Sequence, residues 1–333
     1  MRLIATFMFF GLSFATLSAQ AAESTLENVR ERGFVRCGVS QGLPGFSYPD
    51  NRGNWRGLDV DLCRAVAVAI FGKKNAVRFV PVSSKERWTM LQSGEADILS
   101  RNTTWTMQRD TALGARFLVV NYYDGQGFMV RKDLGIKHAE ELDGASICTN
   151  SGTTTELNAA DYFRSRKIAY ELVTFEKADE AVAAYDSGRC DAYTTDHSAL
   201  YAHRLRLANP KDHIVLPDII SKEPLGPVVR QGDSQWESIV RWSFWAMLNA
   251  EELGVSSRNL RRMYSSNDPA IARLLGRESD FGRVLGLSPD WAAQIIRQIG
   301  NYAESFERNV GMGSPLKIER GNNALWTNGG LLY

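Results

Sequence analysis

Residues 94–109, Gly-Glu-Ala-Asp-Ile-Leu-Ser-Arg-Asn-Thr-Thr-Trp-Thr-Met-Gln-Arg, constrain the fold more than any other stretch. Residues 96–99 form a short apolar run after a helical pattern that stops at Gly94, and they read as a buried strand. The strand runs into a polar turn, residues 100–104, followed by Trp105, Thr106 and Arg109. In an open α/β sheet, ligands bind just beyond the carboxyl ends of the strands. A turn there offers backbone N–H groups, the polar side chains of Asn102 and Thr104, an aromatic wall from Trp105 and a guanidinium from Arg109. Such a set suits a small carboxylate, because Arg grips both oxygens in a planar fork. A surface loop whose Arg109 pairs with a helix acid is the competing reading.

The surrounding pattern alternates strand and helix. Residues 34–39 form a strand ending in a Gly/Pro-rich loop that carries Ser40 and Leu43. Residues 58–71 form a helix with Leu58, Leu62, Val66 and Ile70 on one face. Asp59 and Asp61 complement its dipole. A strand over 77–82 and a helix over 85–94 complete β-α-β-α-β, the signature of a mostly parallel sheet with right-handed crossovers. A second such unit begins at residues 142–149. Its turn, residues 150–156, opens a helix where Thr153 and Thr154 present N–H groups to an anion or serve as an ordinary cap. Residues 191–197 form a later strand that brings Asp196 to the cleft side, as a ligand contact or as the cap of the next helix. His197 reads as a rim or structural residue. The aromatics of the helix over 234–253 recur at helical spacing and read as packing.

Residues 1–21 combine one basic residue, an apolar run and a small-residue site ending at Ala21, the pattern of a cleaved secretory signal. No later segment approaches the roughly 18 apolar residues of a membrane span. The chain carries 39 Lys+Arg and 38 Asp+Glu. A balance so near zero argues against nucleic acid or an anionic membrane as partner. At 333 residues, with 44% apolar, it can bury two cores. Four cysteines in an exported chain imply two disulfides. Cys37 and Cys63 fall in one domain, Cys148 and Cys190 in the other, which pairs them in that way. Neither the cysteine spacing nor the scattered histidines is metal-like.

Thr104-x-Thr106-x-x-Arg109, Gly57-Leu-Asp-Val-Asp-Leu62, the Ser151-Gly-Thr-Thr154 turn and Asp191-Ala-x-x-x-Asp196 stand in order. Together they resemble the amino-acid-binding proteins of ABC importers, solute-binding protein family 3. The string over 99–106 and the long tail are similar to the general L-amino-acid-binding subgroup, over nearly all of the mature chain. The resemblance implies a hinged two-lobe α/β periplasmic-binding-protein fold, each lobe a mostly parallel sheet flanked by helices. Lobe 1 spans 22–125 and 227–255, lobe 2 spans 126–226, and a helical extension over 256–333 packs on lobe 1. It further implies a monomeric periplasmic receptor without cofactor or catalytic residue, delivering L-amino acids to membrane permease subunits. Arg109, Thr104 and the turn at Thr153 and Thr154 would hold the α-carboxylate and Asp196 the α-ammonium. Asn102, Ser40, Leu43, Ser84 and Trp105 would line the pocket. Leu43 and Ser84 stand where relatives carry aromatics, which implies a roomy pocket and a broad ligand range. Two alternatives share the fold: a dehydratase of an aromatic amino-acid precursor, with Glu156 or His197 as proton donor, and a ligand-sensing adaptor for a membrane receptor.

Overall fold

The computed structural model describes residues 24–278 and 280–333; the signal sequence expected over 1–21 lies outside them. In chain order come α1 (Thr25–Arg32), β1 (Val35–Val39), the two-residue strands β2 (Tyr48–Pro49) and β3 (Trp55–Arg56), α2 (Leu58–Phe71), β4 (Val77–Pro81), α3 (Arg87–Ser93), β5 (Ile98–Leu99), α4 (Met107–Ala112) and β6 (Ala115–Phe117). Gly94 ends α3 at φ 78°, a conformation that a side chain disfavours. The chain then crosses into β7 (Tyr122–Arg131), β8 (Ala145–Asn150), α5 (Thr154–Arg166), β9 (Tyr170–Phe175), α6 (Ala178–Asp186), β10 (Ala192–Asp196), α7 (His197–Arg204), β11 (His213–Val215) and β12 (Ser221–Leu225). It returns through β13 (Val228–Arg230) and the long α8 (Ser234–Glu252).

Two sheets result. The first has the order β4-β1-β5-β13-β6 and the second β11-β7-β10-β8-β9, with β12 also on β7. The strand-helix-strand units give parallel pairs: β1 with β4 and β5, β8 with β9 and β10. The strands at the two crossings pair antiparallel: β7 and β13 each enter from the other lobe, and β12 leads out of the second lobe. The second sheet starts at Tyr122, opposite Leu225, so the crossing strands are themselves a ribbon. The two crossings touch where the Asn121 N–H donates to Leu225 O (2.9 Å). A Cβ on Gly226 would lie 2.1 Å from Val119 O, so this close approach requires glycine.

Both expected disulfides are present within single lobes. Cys37–Cys63 ties β1 to α2 and Cys148–Cys190 ties β8 to the entry of β10, with Cα atoms 6.2 and 5.7 Å apart.

α2 is buried on more than the expected face: Ala65, Ala67 and Val68 are as inaccessible as Leu62 and Val66. The reason is the C-terminal extension, α9 (Leu260–Met263), α10 (Pro269–Leu274), α11 (Phe281–Leu285), α12 (Trp291–Gln298) and α13 (Tyr302–Asn309). Trp291, Ile295, Tyr302 and Phe306 join α2 and α8 in one apolar core. Asp61 fastens this layer by accepting from Ser305 Oγ (2.7 Å), Arg308 Nη2 (2.6 Å) and Asn309 Nδ2 (2.7 Å). The extension also grips the crossing: Tyr302 Oη donates to Asn121 O (2.8 Å). The Asn323 amide accepts from Tyr123 N (2.6 Å) and donates to Tyr123 O (3.0 Å). Among the described residues no helix is long and apolar enough to cross a membrane.

Candidate functional site

The lobes enclose a cavity of about 220 Å³ between the carboxyl end of β5 on one side and α5 and β10 on the other. The turn after β5 is shaped from behind. Asp59, at the start of α2, accepts from Asn102 N (3.0 Å) and Ser100 Oγ (3.2 Å). Asn102 sits at φ 40°, a left-handed conformation that Asn tolerates better than most residues. Burial raises the Asp59 carboxyl to about 6, against the pull of those two donors. Asp59, read from sequence as a helix-dipole residue, therefore also fixes the turn that faces the cavity.

Thr106 caps α4 by accepting the Arg109 N–H (3.2 Å), which aims the Arg109 side chain back over the turn. Arg109 is 8% exposed, and its guanidinium donates to Thr104 O (3.0 Å). Burial pushes its pKa down while Glu223 and Asp196 pull it up. Those two acids belong to the other lobe, so the charge faces the cleft rather than a neighbour on its own helix.

Asp196 ends β10. Its side chain makes no capping bond to α7, which removes that alternative. Instead Oδ2 accepts from Asn102 Nδ2 across the cleft (2.9 Å). Burial, then the like charges of Asp124 and Glu223, push the Asp196 carboxyl well above the usual range.

Of the expected residues, Ser40, Leu43, Ser84, Asn102, Thr104, Arg109, Thr153, Thr154 and Asp196 all line the cavity. Thr153 caps α5, accepting from Glu156 N (3.1 Å) and donating to Asn150 O (2.6 Å). The Thr154 and Thr155 N–H groups, in the first turn of α5, lack intrahelical acceptors, and both residues line the cavity. Ser40 Oγ is tied to Ser47 Oγ (2.8 Å) and to the Leu43 N–H (3.2 Å), so it braces its own loop. Trp105 is the exception: its ring stacks on Phe117 (5.5 Å, 10°) in a small core of lobe 1 and does not form the cavity wall. Phe117 offers that ring an apolar partner on β6. His197 also lies off the cavity wall, edge-on to Tyr201.

Three contributors were not singled out from the sequence, although Arg101 stands in the turn over 100–104. Glu223 on β12 is 1% exposed and accepts from Thr104 Oγ1 (2.5 Å), Thr154 Oγ1 (3.0 Å), Asn158 Nδ2 (2.8 Å) and Ser221 Oγ (2.7 Å). Each Thr hydroxyl has one proton, so Thr104 Oγ1 donates to Glu223 and not into the cavity. Of the three, Arg87 at the start of α3 and Arg101 in the turn line the cavity, 3% and 6% exposed. Burial and the surrounding arginines push the Arg87 pKa far down. Burial brings Arg101 to about 10, with Asp59 opposing. Arg87 reaches across the cleft to Gly152 O (3.5 Å), and at the rim Arg206 reaches Gly42 O (3.1 Å). Among the described residues no group of three His, Cys, Asp or Glu side chains could hold a metal.

A hinged pair of α/β lobes closing on a polar, charge-paired cavity defines a solute receptor. The chain belongs to the bacterial extracellular solute-binding proteins, family 3, whose model matches residues 35–258. It is 59% identical over 318 residues to the general L-amino acid-binding periplasmic protein AapJ of Rhizobium johnstonii, covering 95% of this chain and 93% of that one. It is 50% identical over 328 residues to the glutamate/glutamine/aspartate/asparagine-binding protein BztA of Rhodobacter capsulatus, covering 98% and 97%. Among solved structures it matches an ABC transporter periplasmic binding protein from Brucella ovis with glutathione bound, at TM-score 0.91 and 58% identity, covering 93% of this chain and 98% of that one.

Proposed function

We propose that this protein is a periplasmic receptor for free L-amino acids, broad in range, which hands its ligand to the membrane permease of an ABC importer. The observation that carries the reading is the opposition of Arg109 and Asp196 from different lobes across one cavity. An α-carboxylate at Arg109 and the first N–H groups of α5, with an α-ammonium at Asp196, satisfies both ends of a zwitterion and rejects simple acids and amines. Closure over the ligand is the signal such a receptor needs. The two near-full-length relatives named for amino-acid binding support this, and both are binding proteins rather than enzymes.

Breadth rests on the wall opposite the zwitterion. Leu43 and Ser84 are small or flexible, and water retained in a polar pocket satisfies diverse side chains. A second reading, a receptor for glutathione, is favoured by the Brucella ovis neighbour and by the surplus of buried arginine. Calorimetry on protein unfolded and refolded to strip bound ligand, against the L-amino acids and glutathione, tests both. Binding of many amino acids within about a thousandfold supports the broad receptor, and binding of only one contradicts it.

A further inference from the structure

The C-terminal extension lies beyond the family match, which ends at residue 258, and beyond the cavity lining, which runs from Ser40 to His203 in the chain. Its far end instead meets the crossing between the lobes, where β7 lacks a strand neighbour. Alternate residues of a strand turn their backbone groups to opposite edges. Gln126 O accepts from Ile220 N on the β12 side (2.9 Å), so the N–H and C=O of Tyr123 face the other edge. β10 covers that edge only as far as Asp196, opposite Gln126. Beyond it the Asn323 carboxamide takes the place of a strand, through its paired bonds to the N–H (2.6 Å) and C=O (3.0 Å) of Tyr123. Asn323 is 4% exposed, and Arg320 holds its carbonyl (2.9 Å) while pairing with Glu251 on α8 (2.9 Å). Tyr302 fastens Asn121 O beside it (2.8 Å). Residues 121–123 are thus secured to lobe 1, and the chain leaves that hold at Asp124. Asp124 in turn accepts the Ser198 N–H (3.3 Å), at the start of α7 just past Asp196.

We propose that Asn323 is a positioning residue for lobe closure: by pinning Tyr123 to lobe 1, it confines the closing rotation to the residues of β7 beyond Tyr123. The return crossing follows, because Leu225 pairs with Tyr122 and Pro224 with Tyr123. The role rests on the receptor reading above and deepens it, since it gives the extension a part in binding without a ligand contact. A hinge absorbs its rotation in a few backbone dihedrals. With Asn323 in place, Asp196 swings toward Arg109 about a short pivot that begins at Asp124. Without it the Tyr123 N–H and C=O turn to water, the pivot lengthens, and more backbone must be ordered whenever the lobes shut. The ligand-competent arrangement is then less populated, and affinity falls by that fraction.

The test compares refolded wild type with Asn323→Ala, titrated with L-glutamate and L-alanine by calorimetry. Backbone hydrogen exchange and small-angle X-ray scattering, both without ligand, accompany the titration. Asn323→Ala is expected to bind both amino acids roughly tenfold more weakly, the worth of one buried hydrogen bond. Exchange should quicken at residues 121–127 while the core of lobe 1 keeps its protection, and the ligand-free radius of gyration should rise. Affinity within twofold of wild type would overturn the role. So would faster exchange throughout lobe 1, which would make Asn323 a brace of the fold. Failure of wild type to bind either amino acid would overturn the receptor reading alone, and the exchange and scattering would still decide the hinge. If Asn323→Ala does not fold, Asn323→Asp, which keeps an acceptor for the Tyr123 N–H and loses the donor, is read in the same way.

Discussion

Asn102 Nδ2 and Asp196 Oδ2 meet at 2.9 Å, a bond that links the turn after β5 to the end of β10 across the cleft. The bond joins the two lobes through the residue proposed to receive the ligand ammonium. It also depends on the left-handed backbone at Asn102, which glycine can adopt and alanine resists.

Replacing Asn102 by Gly keeps the turn and removes the latch. Loss of a buried hydrogen bond should weaken ligand affinity roughly tenfold, read by calorimetry. Affinity within twofold of wild type would show that the bond does not contribute to closure.

Asp59 predicts a pH effect with a definite sign. Its folded pKa is raised to about 6, so the folded protein holds the proton more tightly than the unfolded chain. The stability from this group is fully present below about pH 4 and lost as pH rises through about 6. Asp59→Asn does not titrate, so its stability relative to wild type should improve between pH 4 and 7, by on the order of 3 kcal/mol. Urea unfolding at several pH values measures this, and parallel stability curves would contradict it.

Much of this site was legible in the sequence because its polar turns lie at strand ends within short, contiguous motifs. Arg109 and Thr104 share one turn, Thr153 and Thr154 another, and Asp196 closes a recognisable strand. Glu223 was not legible, because it meets Thr104 only after a separation of 119 residues, through the return crossing. Arg87 looks like any charge on an amphipathic helix until α3 docks with that side chain toward the cleft. Trp105 shows the reverse failure: it neighbours the motif, but Phe117 on β6 offers its ring a better apolar partner than the cavity does. The one-sided reading of α2 fell short because the extension that covers its other face is more than 200 residues away in the chain.

Asp61 is the anchor of that extension. Converting it to Asn halves its capacity to accept and weakens the bonds from Ser305, Arg308 and Asn309. The expected loss is about 1–3 kcal/mol in urea unfolding, with earlier protease cleavage within residues 256–333. Unchanged stability and cleavage would mean that the apolar contacts of α12 and α13 hold the layer alone.

The disulfide Cys148–Cys190 spans a sequence separation of 42 inside lobe 2. Replacing both residues by Ala should cost about 4 kcal/mol, chiefly by freeing the unfolded chain. Because the bridge does not cross the hinge, ligand affinity should stay within a few-fold wherever the variant remains folded. A large loss of affinity at full folding would place the bridge in the closing motion.

The role of Arg109 as the carboxylate site is tested by titrating refolded Arg109→Ala beside wild type with L-glutamate and L-alanine. Arg109 is buried and positioned by Thr106 and Thr104, so its removal leaves a ligand carboxylate without its main counter-charge. Binding is expected to weaken by roughly a hundredfold or more for both amino acids, with the circular dichroism of the fold retained. Affinity within a few-fold of wild type would contradict it.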